Sequence, residues 1–278
     1  MNIQIKIINQ IPNIVEKYII KKFNKKPPES FGPISDSEID YVRNKLKTKY
    51  ELDIDPHIIG SIKSAYMKNY IIMTHYKLNK YKKKLTQKYQ QKITVLKLSK
   101  NYDLSPMTIM RYLLETKYNS KIKELFHNQK RMDEFDQKQL QIASEADIYN
   151  QIEQSEQSYE AAEFEKRIEK ILAFHKIEFQ TQEELTVEQI KLYGKAINTP
   201  DFLIKSELII NNHQINWIDA KNFYGSNIDF VKKKIAKQIT KYINTYGTGC
   251  IIFKYGFNSN LSFDKVLIMS IESISNLN

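Results

Sequence analysis

Residues 199–221, TPDFLIKSELIINNHQINWIDAK, constrain this chain more than any other stretch. Two runs rich in branched and aromatic apolar residues, 202–210 and 215–221, flank Asn211, Asn212, His213 and Gln214. Branched and aromatic side chains suit a pleated surface, and asparagines suit a tight turn. The stretch therefore predicts two strands joined by a turn. Side chains alternate along a strand, so Asp219 and Lys221 point the same way, about 6–7 Å apart. Asp201 stands at the mouth of the first strand. His213 falls in the turn and reads as a turn residue, not as a general base.

Carboxylates converging with a lysine on a strand pair are the pattern of a metal-dependent phosphodiester-cleaving site. Mg²⁺ takes hard oxygen ligands in near-octahedral geometry and keeps several waters. Held against a phosphate, it polarises the phosphate and lowers the pKa of bound water. A lysine is a point charge that orients that water and offsets charge building on the phosphate. The pattern P-D…D-x-K is short, and the same residues also fit a strand cap at Asp201 with a surface Asp–Lys pair.

Helical patterns flank the strands. In residues 159–174, Ala161, Phe164, Ile168, Ile171 and Leu172 form one apolar stripe. Glu160 and Glu165 fall on its borders, and Glu163 and Glu169 point away. A border glutamate on a helix packed against a sheet can reach a metal at the sheet edge; the alternative is ordinary surface charge. In residues 228–246 the stripe is Ile228, Val231, Ile235, Ile239, Tyr242 and Tyr246, and Gln238 falls inside it. A buried glutamine needs partners, either in the core or in a site. Lys234 and Lys241 flank it where a phosphate backbone could pass.

The order F-E on a helix, T-P-D-F, W-I-D-A-K, a helix with Q-x-x-x-Y, then Y-G-F resembles the codanin-interacting nuclease family, named for its TPD sequence motif. The resemblance covers residues 159–271 and implies the restriction-endonuclease-like superfamily with its PD-(D/E)xK site. It places Glu165, Asp201 and Asp219 as metal ligands and Lys221 as the lysine that positions the attacking water. Gln238 orients water or phosphate. Asp219-Ala220-Lys221 stands where the family pattern has Glu-Ser-Lys, so the carboxylate is one methylene shorter. Ala161-Ala162 stands where a glycine often precedes F-E.

Charge is unevenly distributed. The net charge of the 278 residues is +11. Residues 1–131 hold 27 Lys+Arg against 11 Asp+Glu, and residues 132–278 hold 16 against 21. A basic half beside an acidic half fits a nucleic-acid clamp next to a metal site. Within the basic half, residues 92–118 read as a helix-turn-helix. Its turn spans 101–105, Ser105 is a helix cap, and Pro106 takes the first helical position. That places Ser105, Thr108 and Arg111 at the start of a recognition helix, unless the helices only pack. Lone Cys250 excludes an internal disulfide and fits a reducing compartment. Residues 1–23 read as a helix or helix pair and not a signal peptide, and no apolar run reaches membrane-spanning length.

These readings predict a basic α-helical, helix-turn-helix-like region over 1–131, an acidic linker over 132–158, and an α/β mixed-sheet, restriction-endonuclease-like domain over 159–278. The expected function is Mg²⁺-dependent endonuclease action on DNA, with Mn²⁺ as the alternative ion. The resemblance adds structure selectivity and a codanin-like partner in the nucleus or cytoplasm. RNA stays open as a substrate, and no stretch singles out a dimer over a monomer. The rival expectation is a nucleic-acid- or protein-binding adaptor with a nuclease fold and little or no turnover.

Overall fold

The computed structural model describes residues 1–150 and 155–275. Two compact units emerge: one from Met1–Lys17 with Glu156–Asn278, the other from Tyr18–Ser155. This differs from the expected boundaries at both ends. The first residues are not a helix pair. They form β1 (Asn2–Ile3), β2 (Gln10–Ile11) and the start of α1 (Asn13–Phe23). Both strands pair with C-terminal partners, so the chain's start is part of the sheet unit.

The second unit is all helical. It contains α2 (Asp36–Tyr50), α3 (Pro56–Gln90), α4 (Val95–Tyr102), α5 (Pro106–Tyr118), α6 (Ile122–His127) and α7 (Glu134–Ala146). The helix α2 starts where the sequence signals it, with a reciprocal capping box between Ser35 and Glu38. Likewise α3 opens on an Asp55 cap followed by Pro56. The core joins Leu78 and Leu85 of α3, Leu98 of α4, Met107, Met110 and Leu114 of α5, and Leu140 and Ala143 of α7. Each such buried aliphatic side chain contributes about 1.5–3 kcal/mol relative to exposure. Much of the expected acidic linker is therefore α7, a packed helix whose apolar face joins this core. Residues 151–154 of that expected linker lie outside the described residues.

The helix-turn-helix expectation holds as two helices and a turn, but not as a reading head. The first turn of α5 is the centre of the unit. Ser105 and Thr108 are buried. The Ser105 hydroxyl caps Thr108 N and donates to the Asp147 carboxylate, which also accepts from Met107 N. Asn150 donates to both hydroxyls. Ser105 is thus spent on the cap and on Asp147, and Thr108 keeps only a small exposed edge beside Arg111. Arg111 is the most exposed of the expected trio.

The sheet unit opens with α8 (Ser155–Phe174), β3 (Phe179–Thr181), α9 (Gln182–Tyr193) and β4 (Phe202–Ile204). Next come β5 (Ile209–Ile210), β6 (His213–Gln214), β7 (Trp217–Lys221) and α10 (Asp229–Tyr246). It closes with β8 (Gly249–Phe253), β9 (Phe257–Asn258), β10 (Val266–Ser270) and α11 (Ile271–Ile274). The main sheet has the order β10-β8-β7-β4-β3. Its first three strands are parallel, and β4 and β3 run antiparallel. One face packs on α8 through Phe164, Ile168, Leu172, Ile218, Cys250 and Ile252. The other packs on α10 through Ile235, Ile239, Tyr242, Trp217, Ile251 and Phe253.

The expected first strand, 202–210, breaks after Ile204. Its far end, β5, pairs instead with β1 and β6 in a small second sheet. Asn211 and Asn212 take the left-handed backbone of the turn, as their residue type predicts. Among the described residues no helix is long and apolar enough to cross a membrane.

Candidate active site

Strand alternation fixes the site. Along β7, Ile218 and Ala220 face α8, while Trp217, Asp219 and Lys221 face α10. Trp217 seats the strand. Its ring lies over Gly249, where an added Cβ would meet it at 2.1 Å, and its Nε1 donates to Gly247 O. Only a glycine at 249 lets the indole lie flat against β8.

Asp219 is fully buried. Its Oδ1 accepts from Gln238 Nε2 at 3.1 Å, and its Oδ2 lies 2.5 Å from Lys221 Nζ. Lys221 also donates to Gln238 Oε1 at 3.0 Å, which closes a triangle of three side chains. The second Gln238 amide hydrogen goes to Tyr242 OH, which in turn donates to Thr199 O. Gln238 is thus half-buried and aimed at the site, not into the core. The expected surface Asp–Lys pair is a buried one.

Asp201 reaches the same place from β4. Its Oδ2 accepts from Ala220 N at 2.6 Å. The paired register between β4 and β7 is Phe202 with Ile218 and Leu203 with Trp217. The Asp201 carboxylate therefore takes the place of a ladder carbonyl just past the end of that pairing, and it is at once strand cap and site carboxylate. Burial, then the charge of Asp219, pushes the Asp201 carboxyl up to about 7. Burial raises the Asp219 carboxyl too, against the pull of Lys221. Glu165, on α8, is raised by burial and by Asp219. The three carboxyl groups feel one another's charge and that of a single lysine, so the cluster favours added positive charge.

The expected three-carboxylate ligand set is not assembled. Among the described residues no group of three or more His, Cys, Asp or Glu side chains is placed to hold a metal ion. Glu165 projects from the helix on the opposite face of the sheet from α10. Asp201 and Asp219 suit Mg²⁺ as a pair, because that ion uses one or two carboxylates and fills its shell with water and phosphate. Asp219 Oδ2 meets the Lys221 ammonium and no other donor among the described residues.

Two features went unread in the sequence. The first is α9, whose Gln189 binds the loop before Asp201. Its Nε2 donates to Asn198 O and its Oε1 accepts from Ile197 N and Asn198 N. Gln182 holds Thr199 O from the same helix. The Thr181 and Glu184 capping box was the available signal. The second is Lys237. With Lys234 and Lys241 it lines a groove of about 340 Å³ that also touches Gln238, Tyr242 and Thr199. All three lysines are exposed.

The family model described as "Protein of unknown function TPD sequence-motif" matches residues 131–272, more than half of the chain. This chain belongs to the TPD-motif family. The uncharacterized protein L539 of Acanthamoeba polyphaga mimivirus is 32% identical over 117 residues, 41% of either chain. CDAN1-interacting nuclease 1 of Xenopus laevis is 28% identical over 103 residues, 37% of this chain and 32% of that protein. Its Homo sapiens counterpart is 28% identical over 81 residues, 29% of this chain and 28% of that one. The homology is distant, and this chain aligns with less than half the length of each. No solved structure matches.

Proposed function

We propose that this TPD-family chain is a metal-dependent endonuclease that hydrolyses DNA phosphodiester bonds on a restriction-endonuclease-like sheet. The observation that carries the reading is buried Asp219, joined to Lys221 and Gln238 and set beside Asp201 at the end of a parallel pair of strands. Distant homology to CDAN1-interacting nuclease 1 supports the same reaction class. A codanin-like protein partner follows only from that relative's name.

Asp201 and Asp219 would hold the ion, with Glu165 near enough to reach it through water. Mg²⁺ or Mn²⁺ bound there supplies Lewis acidity toward the phosphate and lowers the pKa of water. With such an ion balancing Asp219, the Lys221 ammonium would be available to offset charge on the phosphate. Gln238 keeps the Lys221 ammonium in place through its Oε1. Lys234, Lys237 and Lys241 bind the flanking phosphates. They lie at i, i+3 and i+7 on α10 and span about 10 Å, the axial rise of roughly three stacked nucleotides.

The closed Lys221–Asp219 pair favours one rival, an adaptor that binds nucleic acid or protein without cutting. Purified protein is given labelled DNA and RNA as single strands, duplexes, flaps and junctions, with Mg²⁺, Mn²⁺ or EDTA. Metal-dependent cutting lost in Asp201→Asn and Lys221→Ala supports the nuclease. Cutting of RNA alone corrects the substrate. Binding without cutting of any substrate assigns the adaptor.

A further inference from the structure

The lysine groove does not end at Ile197. A second hollow of about 300 Å³ shares Ile197 and Asn198 with it and is walled by Leu185, Leu192, Tyr193 and Leu203. Three of these large apolar side chains face solvent: Leu192 is 62% exposed, Tyr193 62% and Ile197 53%. They cluster at the C-terminal end of α9 and in the loop that follows, beyond the Gly194 cap. The wall is rigid beneath its surface. Gln189 fixes the Ile197–Asn198 backbone, and Tyr246 OH donates to Asn198 O at 2.7 Å. Glu188 and Lys205 add polar groups to the same lining.

We propose that this hollow is a nucleobase site, which takes an unpaired base from the strand whose phosphates lie along Lys234, Lys237 and Lys241. The inference rests on the nuclease reading and names its substrate class: strands with unpaired bases, in preference to continuous duplex. A base has two apolar faces and a polar edge. An aromatic and aliphatic wall with polar groups in its lining matches that surface, and the adjoining cations match the backbone. In a duplex the base faces are stacked and the edges are paired, so a base reaches the hollow only after unpairing, at a free-energy cost. A protein partner seated on the same wall would have no use for three lysines in the continuous groove.

The test uses the full chain in EDTA, so that binding is read without cutting. Anisotropy is measured with one labelled oligonucleotide as a single strand, as a duplex and as a duplex with an unpaired tail. A 2-aminopurine in the strand reports stacking. The variants are Tyr193→Ala with Ile197→Ser, and Lys234→Gln with Lys237→Gln and Lys241→Gln. Single-strand and tailed forms should bind about tenfold tighter than duplex. The wall variant should lose about that tenfold on the single strand, with its 2-aminopurine quenching, and stay within about twofold on duplex. The lysine variant should weaken every form. If the wall variant weakens all forms equally or none, the nucleobase site is wrong while the nuclease reading stands. If wild type binds no form, or the lysine variant changes nothing, the phosphate track and the nucleobase site fall, and the nuclease reading stands or falls on the cleavage panel alone. Loss of self-association in the wall variant, with strand binding unchanged, would assign the wall to a second copy and overturn the proposal.

Discussion

Asp201 Oδ2 accepts a 2.6 Å hydrogen bond from the backbone N–H of Ala220, the residue between Asp219 and Lys221. One carboxylate thus finishes the strand ladder and lies beside the Asp219–Lys221 pair of the candidate site. Structure and chemistry separate at this residue. Asp201→Ala leaves the Ala220 N–H without its partner and should cost about 1–3 kcal/mol. Asp201→Asn keeps an oxygen for that N–H and should unfold within about 1 kcal/mol of wild type. Both variants should lose cleavage. Urea unfolding beside the cleavage assay reads the difference, and equal stability of the two variants would remove Asp201 from the ladder.

Lys221 is the cation that balances buried Asp219. Lys221→Met strands a buried carboxylate, and breaking such a pair costs about 3–5 kcal/mol. The penalty has a pH sign. With Lys221 gone, the raised Asp219 carboxyl rises further above its unfolded value. The variant's deficit is then full at high pH and shrinks as Asp219 takes a proton on acidification. Asp219→Asn added to Lys221→Met should recover most of the stability at neutral pH and none of the activity. A deficit that does not change between about pH 5 and 8 would mean that losing Lys221 does not alter the protonation of Asp219, and would remove Lys221 as its counter-charge.

The parts of the site that were legible in the sequence are those whose signal is local. Strand alternation placed Asp219 and Lys221 on one face, and helical spacing put Gln238 inside an apolar stripe, with the choice between core and site left to the structure. Asn211 and Asn212 marked their turn. The parts that were hidden depend on tertiary partners. With two residues each, β1 and β2 carry no periodicity, and they pair only with segments about two hundred residues away. The helix α9 buries only Leu185 and Gln189, so its apolar residues do not form the inward stripe that marks a helix. The helix-turn-helix pattern was present, but the same buried positions suit a central packing helix, and pattern alone does not tell the two apart. Glu165 fell on the border of its stripe as expected, on the helix that packs across the sheet from α10, where it still feels the charge of Asp219.

Gly256 in the Y-G-F stretch records the docking of the chain's first residues. It has φ +74°, and a Cβ there would lie 2.3 Å from Asn9 O. Asn9 O accepts from Phe257 N, between the two short strands β1 and β2. Gly194 has a similar φ of +72° with nothing within 4 Å of its Cβ position. Gly194→Ala should therefore cost only the left-handed strain, about 1 kcal/mol. Gly256→Ala carries the same strain and a backbone clash, and should cost about 2 kcal/mol more. It should also expose residues 1–11 to limited proteolysis while Gly194→Ala leaves them protected. Equal costs for the two substitutions would mean that the first strands are not seated against Gly256.

In the helical unit, Lys63 is buried, and among the described residues no carboxylate lies in contact with it. Its Nζ donates to Gly32 O at 2.9 Å and lies 5.5 and 5.4 Å from the ring centroids of Phe23 and Tyr149. Burial lowers its ammonium to about 8; Glu38 acts against that shift and Lys25 adds to it. A lysine whose folded pKa lies below its unfolded value disfavours folding while it is charged. The penalty is full below about pH 8, fades as pH rises toward the unfolded value, and is gone above it. The comparison that isolates it is wild type against Lys63→Met, by urea unfolding at two pH values. Raising the pH from about 7 to about 10 should stabilise wild type relative to the variant by about 1–2 kcal/mol, after discounting for solvent screening. The carbonyl of Gly32 and the two rings stay in place in the variant, so a constant difference across that range would mean that Lys63 keeps an ordinary ammonium and draws its stability from those contacts alone.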